Sequence, residues 1–215
     1  MVTFHIDPAR TALLVVDLQQ CFVEGSPVAA PAGLAVLGRL NQLAAYCRSR
    51  GIRIVHTRHV VRPDHSDAGL LATVVPAVAQ GVIDDGSPSA ELHPKLDIAP
   101  GDLILAKPRF GAFHGTELEI ILRAANIDTL LIGGIATNMC VETTAREAAV
   151  RDFRVLFLRD GTATFALPDA GLGPASEAEV QRVTCNTIAF GFGEVLDVHD
   201  VIDRLDSTTR AAVSG

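Results

Sequence analysis

Five continuous apolar runs constrain this chain more than any other feature: Leu13–Val16, Ile52–Val55, Leu103–Ala106, Thr129–Ile132 and Val155–Leu158. A strand with one wet face alternates apolar and polar residues, whereas unbroken runs mark strands buried on both faces of a parallel sheet. A weaker sixth run, Val195–Val198, closes the set. Helical segments lie between the runs. Leu34 to Arg50 is apolar at Leu37, Leu40, Ala44 and Cys47, is basic in its last turn and stops at Gly51. Thr116 to Glu119 reads as a capping box ahead of an apolar face made by Leu118, Ile121, Leu122 and Ala125. A helix running on from Val141 buries Val141, Ala145, Ala148 and Ala149, and a fifth helix is expected over 175–190. With right-handed crossovers, this alternation predicts an α/β fold, a three-layer α/β/α sandwich around a six-stranded parallel sheet.

One domain is expected over residues 1–215, with a core from about 11 to 205 and a frayed tail after Leu205. The stretch from Val61 to Pro100 is rich in Pro, Gly, Asp and Ser and is longer than an ordinary connection. Such a segment supplies a lid or a subunit contact. Apolar residues at 48% against charged residues at 20% fill a core and exclude disorder. A net charge of −7 without a basic cluster argues against a nucleic-acid partner. No apolar run reaches membrane-spanning length, and MVTFHIDPAR lacks the apolar stretch of a signal peptide. Cys21, Cys47, Cys140 and Cys185 show neither CxxC spacing nor the density of a disulfide scaffold. A cytoplasmic chain with reduced thiols, no membrane partner and no cofactor is the expectation.

Ligands of such folds bind outside the carboxyl ends of the strands, near a topological switch point. The residues at those ends are Asp17, His56 to His59, Lys107, Ile135 to Cys140 and Asp160 to Thr164. Cys140 follows the fourth strand and falls in the first turn of a helix, where the helix dipole is expected to lower a thiol pKa. Read alone, it is either a nucleophile or a small buried hydrophobe. Asp17 ends the first strand and Lys107 the third. A carboxylate beside a thiol accepts its proton, and an ammonium beside both stabilises the charges. The competing reading is a buried Asp–Lys ion pair next to an inert cysteine, and clustering at one sheet edge favours the first.

These residues sit in VVDLQ with Asp17, AKPRFGAFHGTELE with Lys107, and GGIATNMCVETTAREA with Cys140. Together they resemble the cysteine hydrolases of the isochorismatase-like superfamily, which includes nicotinamidases, N-carbamoylsarcosine amidohydrolases, biuret hydrolases and ureidoacrylate amidohydrolases. The resemblance runs from about Thr11 to about Leu205. It implies that Asp17, Lys107 and Cys140 form a catalytic triad and that the strand order is 3-2-1-4-5-6. It also implies a cis peptide at Ile135–Ala136 and an oxyanion hole from the backbone N–H groups of Ala136 and Cys140. The reaction implied is hydrolysis of a C–N bond in a small amide, ureido or carbamoyl compound through a thioester, with release of ammonia. Relatives are often dimers or tetramers, so a homo-oligomer is expected.

The chain departs from the family pattern in places. Cys21 stands where a second carboxylate is common, and Gly111 stands where a serine is common. The stretch HTRHVVRPDHSD lacks the Asp-x-His pair of metal-binding nicotinamidases. His56, His59 and His65 match no trusted metal spacing, so no metal is expected and they read as surface or hydrogen-bonded histidines. Cys140 argues against the vinyl-ether hydrolysis of isochorismatases proper, which lack that cysteine. Phe22, Arg109, Phe110, Phe113 and Thr164 are candidates for lining the pocket. Arg109 either binds a substrate carboxylate bidentately, favouring an ureidoacrylate-like or N-carbamoyl acid, or is a solvated surface arginine. A redox-sensing thiol or a catalytically idle binding subunit are the alternatives from other classes.

Overall fold

In the computed structural model of the protein, residues 2–213 are described, with side chains as far as Ser207. The first apolar run becomes β1 (Thr11–Val16), and every residue of it is buried. Leu13 and Val15 face one hydrophobic core, while Ala12, Leu14 and Val16 face another. This division explains why the run shows no polar alternation. The other strands are β2 (Arg53–His59), β3 (Leu103–Lys107), β4 (Thr129–Ile135), β5 (Arg154–Ala163) and β6 (Glu194–Leu196). All pair in parallel, in the order β3-β2-β1-β4-β5-β6. The order turns back between β1 and β4, so the switch point lies at their carboxyl ends.

The helices are α1 (Gln20–Val23), α2 (Gly33–Ser49), α3 (Leu71–Val74), α4 (Pro76–Ala79), α5 (Leu118–Ala124), α6 (Glu142–Ala149), α7 (Glu177–Gly191) and α8 (Val198–Val213). α2 and α8 cover one face of the sheet, and α5, α6 and α7 cover the other. Among the described residues no helix is long and apolar enough to cross a membrane. The stretch from Val61 carries α3 and α4 and builds a small core of its own, with Leu71, Val78 and Ile83 packed against Cys21.

Four local expectations are corrected. Thr116 makes no reciprocal capping box: its hydroxyl donates to the Ala112 carbonyl at 2.6 Å and accepts from the Leu118 N–H at 3.2 Å, Glu117 holds the N-cap position of α5 without a side-chain bond, and Glu119 pairs with Arg151. The reciprocal box forms instead between Ser176 and Glu179 at the start of α7. The chain beyond Leu205 continues as α8 to Val213, and the sixth strand ends at Leu196 so that α8 can begin at Val198. β2 and β5 also outrun their apolar cores. Buried polar residues extend them, among them His56, Thr57 and Thr162.

Gly134 fixes the geometry at the switch point. It lies opposite Val16 at φ +135°, and a Cβ there would sit 2.0 Å from the Val16 carbonyl oxygen. Only glycine lets β4 approach β1 this closely.

Candidate active site

Asp17 is the first residue past β1 and is fully buried with φ +52°, a left-handed conformation uncommon outside glycine. Such backbone persists where contacts over-determine it. The Thr57 hydroxyl donates to Asp17 Oδ1 at 2.5 Å and accepts from the Asp17 backbone N–H at 3.1 Å. Lys107 Nζ lies 2.7 Å from Asp17 Oδ2. The same ammonium donates to the carbonyls of Arg109 at 3.0 Å and Phe110 at 2.9 Å, so the ion pair is held from the lysine side as well. Burial alone would lower the Lys107 pKa. The charge of Asp17 outweighs it and holds the ammonium above its ordinary value.

Cys140 sits in a π-helical turn, Thr137–Val141, between β4 and α6. Single π turns recur at functional sites. The Ile135–Ala136 peptide is cis, and the N–H groups of Met139 and Val141 both donate to the Ala136 carbonyl. The Thr144 hydroxyl donates to the Cys140 carbonyl at 2.7 Å, and Thr164 donates to the Asn138 side chain at 2.6 Å. The turn is therefore pinned on both sides of the thiol. Its surroundings reverse the expected shift. α6 starts only at Glu142, and burial pushes the Cys140 thiol up, with Lys107 opposing and Asp17 adding to the rise. Burial likewise pushes Cys21 up to about 12 and Cys185 up to about 11.

Atoms of Asp17, His59 and Cys140 lie within 4.8 Å of one another. His59 is a site residue that sequence reasoning treated as an ordinary histidine. Its Nδ1 is 3.8 Å from Cys140 Sγ, and its ring stands edge-on to Phe110 at 5.6 Å. Burial, then the positive charges of Lys107 and Arg109, hold its pKa well below 6.5, so it is neutral. Gln19 clamps its backbone, accepting from the His59 N–H at 2.7 Å and donating to the His59 carbonyl at 3.0 Å. The signal was the parallel register that sets His59 beside Lys107, which composition does not reveal. His56 and His65 point to carboxylates instead, Asp102 and Asp84. The three ligand atoms at Cys140 have a spacing that suits a metal ion, but the Lys107 ammonium already places a cation on Asp17.

A cavity of about 360 Å³ opens beside Cys140. Phe22 and Phe110 line it, as does Ala136. Arg109, Phe113 and Thr164 do not. Arg109 Nη1 donates to the carbonyls of Asp67 at 2.9 Å and Pro108 at 2.6 Å. Phe113 packs on Phe153 in the core, and Thr164 is buried against Asn138 of the π turn. The missing serine at Gly111 has a local cause: a Cβ there would lie 2.2 Å from the Glu147 carboxylate, which accepts from the Phe113 N–H.

Residues 11–197 match the isochorismatase domain. The chain is 34% identical over 175 residues to a ureidoacrylate amidohydrolase RutB of Methylorubrum extorquens, covering 73% of this chain and 71% of that one. It is 31% identical over 225 residues to the RutB of Methylobacterium radiotolerans, covering 96% and 83%. Among solved structures, a cysteine hydrolase from Pseudomonas syringae pv. phaseolicola superimposes with a TM-score of 0.92 at 35% identity, over 96% of this chain and 97% of that one.

Proposed function

The chain belongs to the isochorismatase family of hydrolases, and from that premise we propose that it is a cysteine-dependent amidohydrolase cleaving the C–N bond of a small amide or ureide. One observation carries this reading. A buried thiol, a carboxylate held by an ammonium and an open cavity meet at a single point. A merely structural ion pair needs no thiol within reach and no cavity beside it.

The proposed steps use this geometry, with the oxyanion hole that the family resemblance implies. Asp17 takes the Cys140 proton as sulfur attacks the carbonyl carbon, so the high thiol pKa need not be overcome in the resting enzyme. Lys107 balances the carboxylate charge and holds Asp17 in place. The N–H groups of Ala136 and Cys140 receive the oxyanion, and neutral His59 fixes the orientation of the sulfur. The C–N bond then breaks, Asp17 returns the proton to the leaving nitrogen, and ammonia departs from a thioester. Water attacks the thioester, gives its proton to Asp17, and the sulfur leaves as the thiol with that proton. The sum is amide plus water to acid plus ammonia. The amidohydrolase names of the relatives at 31–34% identity support the same reaction class.

An ammonia-release screen over ureidoacrylate, biuret, N-carbamoyl amino acids, nicotinamide and aliphatic amides tests the reading. At least one compound should release ammonia, and Cys140→Ala should lower that rate by about 10,000-fold or more. Undiminished release by the variant would refute the proposal.

A further inference from the structure

The cavity beside Cys140 is walled by carbon. Phe22, Leu71, Val78, Ile83, Phe110 and Met139 form most of it, and His59 and Cys140 provide its reactive polar side chains. Among the described residues that line it, none carries a formal charge. The two nearby cations are both committed. Lys107 forms an ion pair with Asp17 and donates to the carbonyls of Arg109 and Phe110, and Arg109 Nη1 donates to the carbonyls of Asp67 and Pro108, with Nη2 beside Gly69. A carboxylate carried into this space would be desolvated without a partner. An aliphatic or aromatic group would gain from every carbon buried.

Resting on the amidohydrolase reading, we infer that the substrate is an uncharged amide or ureide bearing an apolar aliphatic or aromatic substituent, and that acids are excluded by the cavity wall. The relatives are named for ureidoacrylate, an acid, so the inference separates this chain from them in substrate class while keeping the reaction. The volume agrees, since about 360 Å³ falls within the range of about 300–1,000 Å³ typical of small-molecule sites. Bare urea or biuret would leave much of the apolar wall uncovered.

Two measurements separate this inference from the reaction it rests on. The first is kcat/KM for ammonia release along the primary amides from acetamide to hexanamide, set against ureidoacrylate and N-carbamoyl-β-alanine. Activity should rise about threefold to fourfold per added methylene until the cavity fills. The acids should fall below the best neutral amide by about 100-fold or more. The second is calorimetric binding of the same compounds to Cys140→Ala, which reads selectivity apart from turnover. Hexanamide should bind, and the acids should bind about 100-fold more weakly. Acids equal to or better than the neutral amides in either measurement overturn the inference. Binding with this selectivity but no ammonia release from any compound overturns the reaction and leaves the selectivity standing. Val74 lines the rim and is 75% exposed, so it tolerates a long side chain. Val74→Arg should raise the relative kcat/KM of the acids by about tenfold or more. Arg109→Ala should leave the acid-to-neutral ratio within about threefold, because its guanidinium does not face the cavity. A selective loss of acid turnover in Arg109→Ala would overturn the inference.

Discussion

Burial pushes the Cys140 thiol up, so the proposed reaction depends on a neighbour that takes the proton as the S–C bond forms. Asp17 stands in that position, with Thr57 on one oxygen and Lys107 on the other. Asp17→Asn preserves shape and removes the base, so kcat/KM should drop by about 1,000-fold or more while the fold survives. In that variant Cys140 reacts only through direct ionisation. Its modification by iodoacetamide should be slow near about pH 7.5 and still climb past the ordinary thiol value of 9.0. A modification rate that levels off below about pH 8 would contradict a burial-raised thiol. Lys107→Met would strand a buried carboxylate, and urea unfolding should register a loss of about 3–5 kcal/mol.

The elements matter because they bring these residues together from distant parts of the chain. β1, β3 and the π turn after β4 each end at the same edge, and Gly134 allows β4 to lie close against β1. Gly134→Ala forces a Cβ onto the Val16 carbonyl and should cost about 3 kcal/mol or more, read as a shifted denaturant midpoint. Much of this was legible in sequence. Continuous apolar runs announced buried strands, and strand ends nominated Asp17, Lys107 and Cys140. The reading failed where polar groups had hidden partners. His56 and Thr57 broke an apolar run that the strand nevertheless continued, because Asp102 and Asp17 satisfy them. Thr116 imitated a cap because its bond to Ala112 depends on a loop conformation that no spacing encodes. Arg109 sits in the right motif, but the Asp67 and Pro108 carbonyls turn it away from the cavity. His59 was named at the strand edge but read as an ordinary histidine, because its place beside Cys140 comes from the β2–β3 register.

The molecule as a whole holds two histidines neutral beneath its surface. Burial lowers the pKa of His56 and, more strongly, of His59 from 6.5. The unfolded chain therefore binds the extra protons as pH falls through that value. Stability should be full above about pH 6.5 and decline below it, by up to about 1.4 kcal/mol per pH unit for each histidine. Chemical denaturation between about pH 7.5 and 5.5 checks this, and His59→Gln should flatten the slope. A slope unchanged by that substitution would contradict a neutral buried His59. The dimer or tetramer implied by the resemblance stands as a proposal, which light scattering on the purified chain reads directly.

The central claim is that Cys140 forms a covalent bond to substrate carbon. Intact-mass spectrometry of acid-quenched reactions with a turned-over amide tests it most directly. The mass should increase by that of the substrate less ammonia, on the peptide carrying Cys140, and the adduct should be absent from Cys140→Ala. Turnover at full rate with no adduct, and the same turnover in Cys140→Ala, would contradict the account.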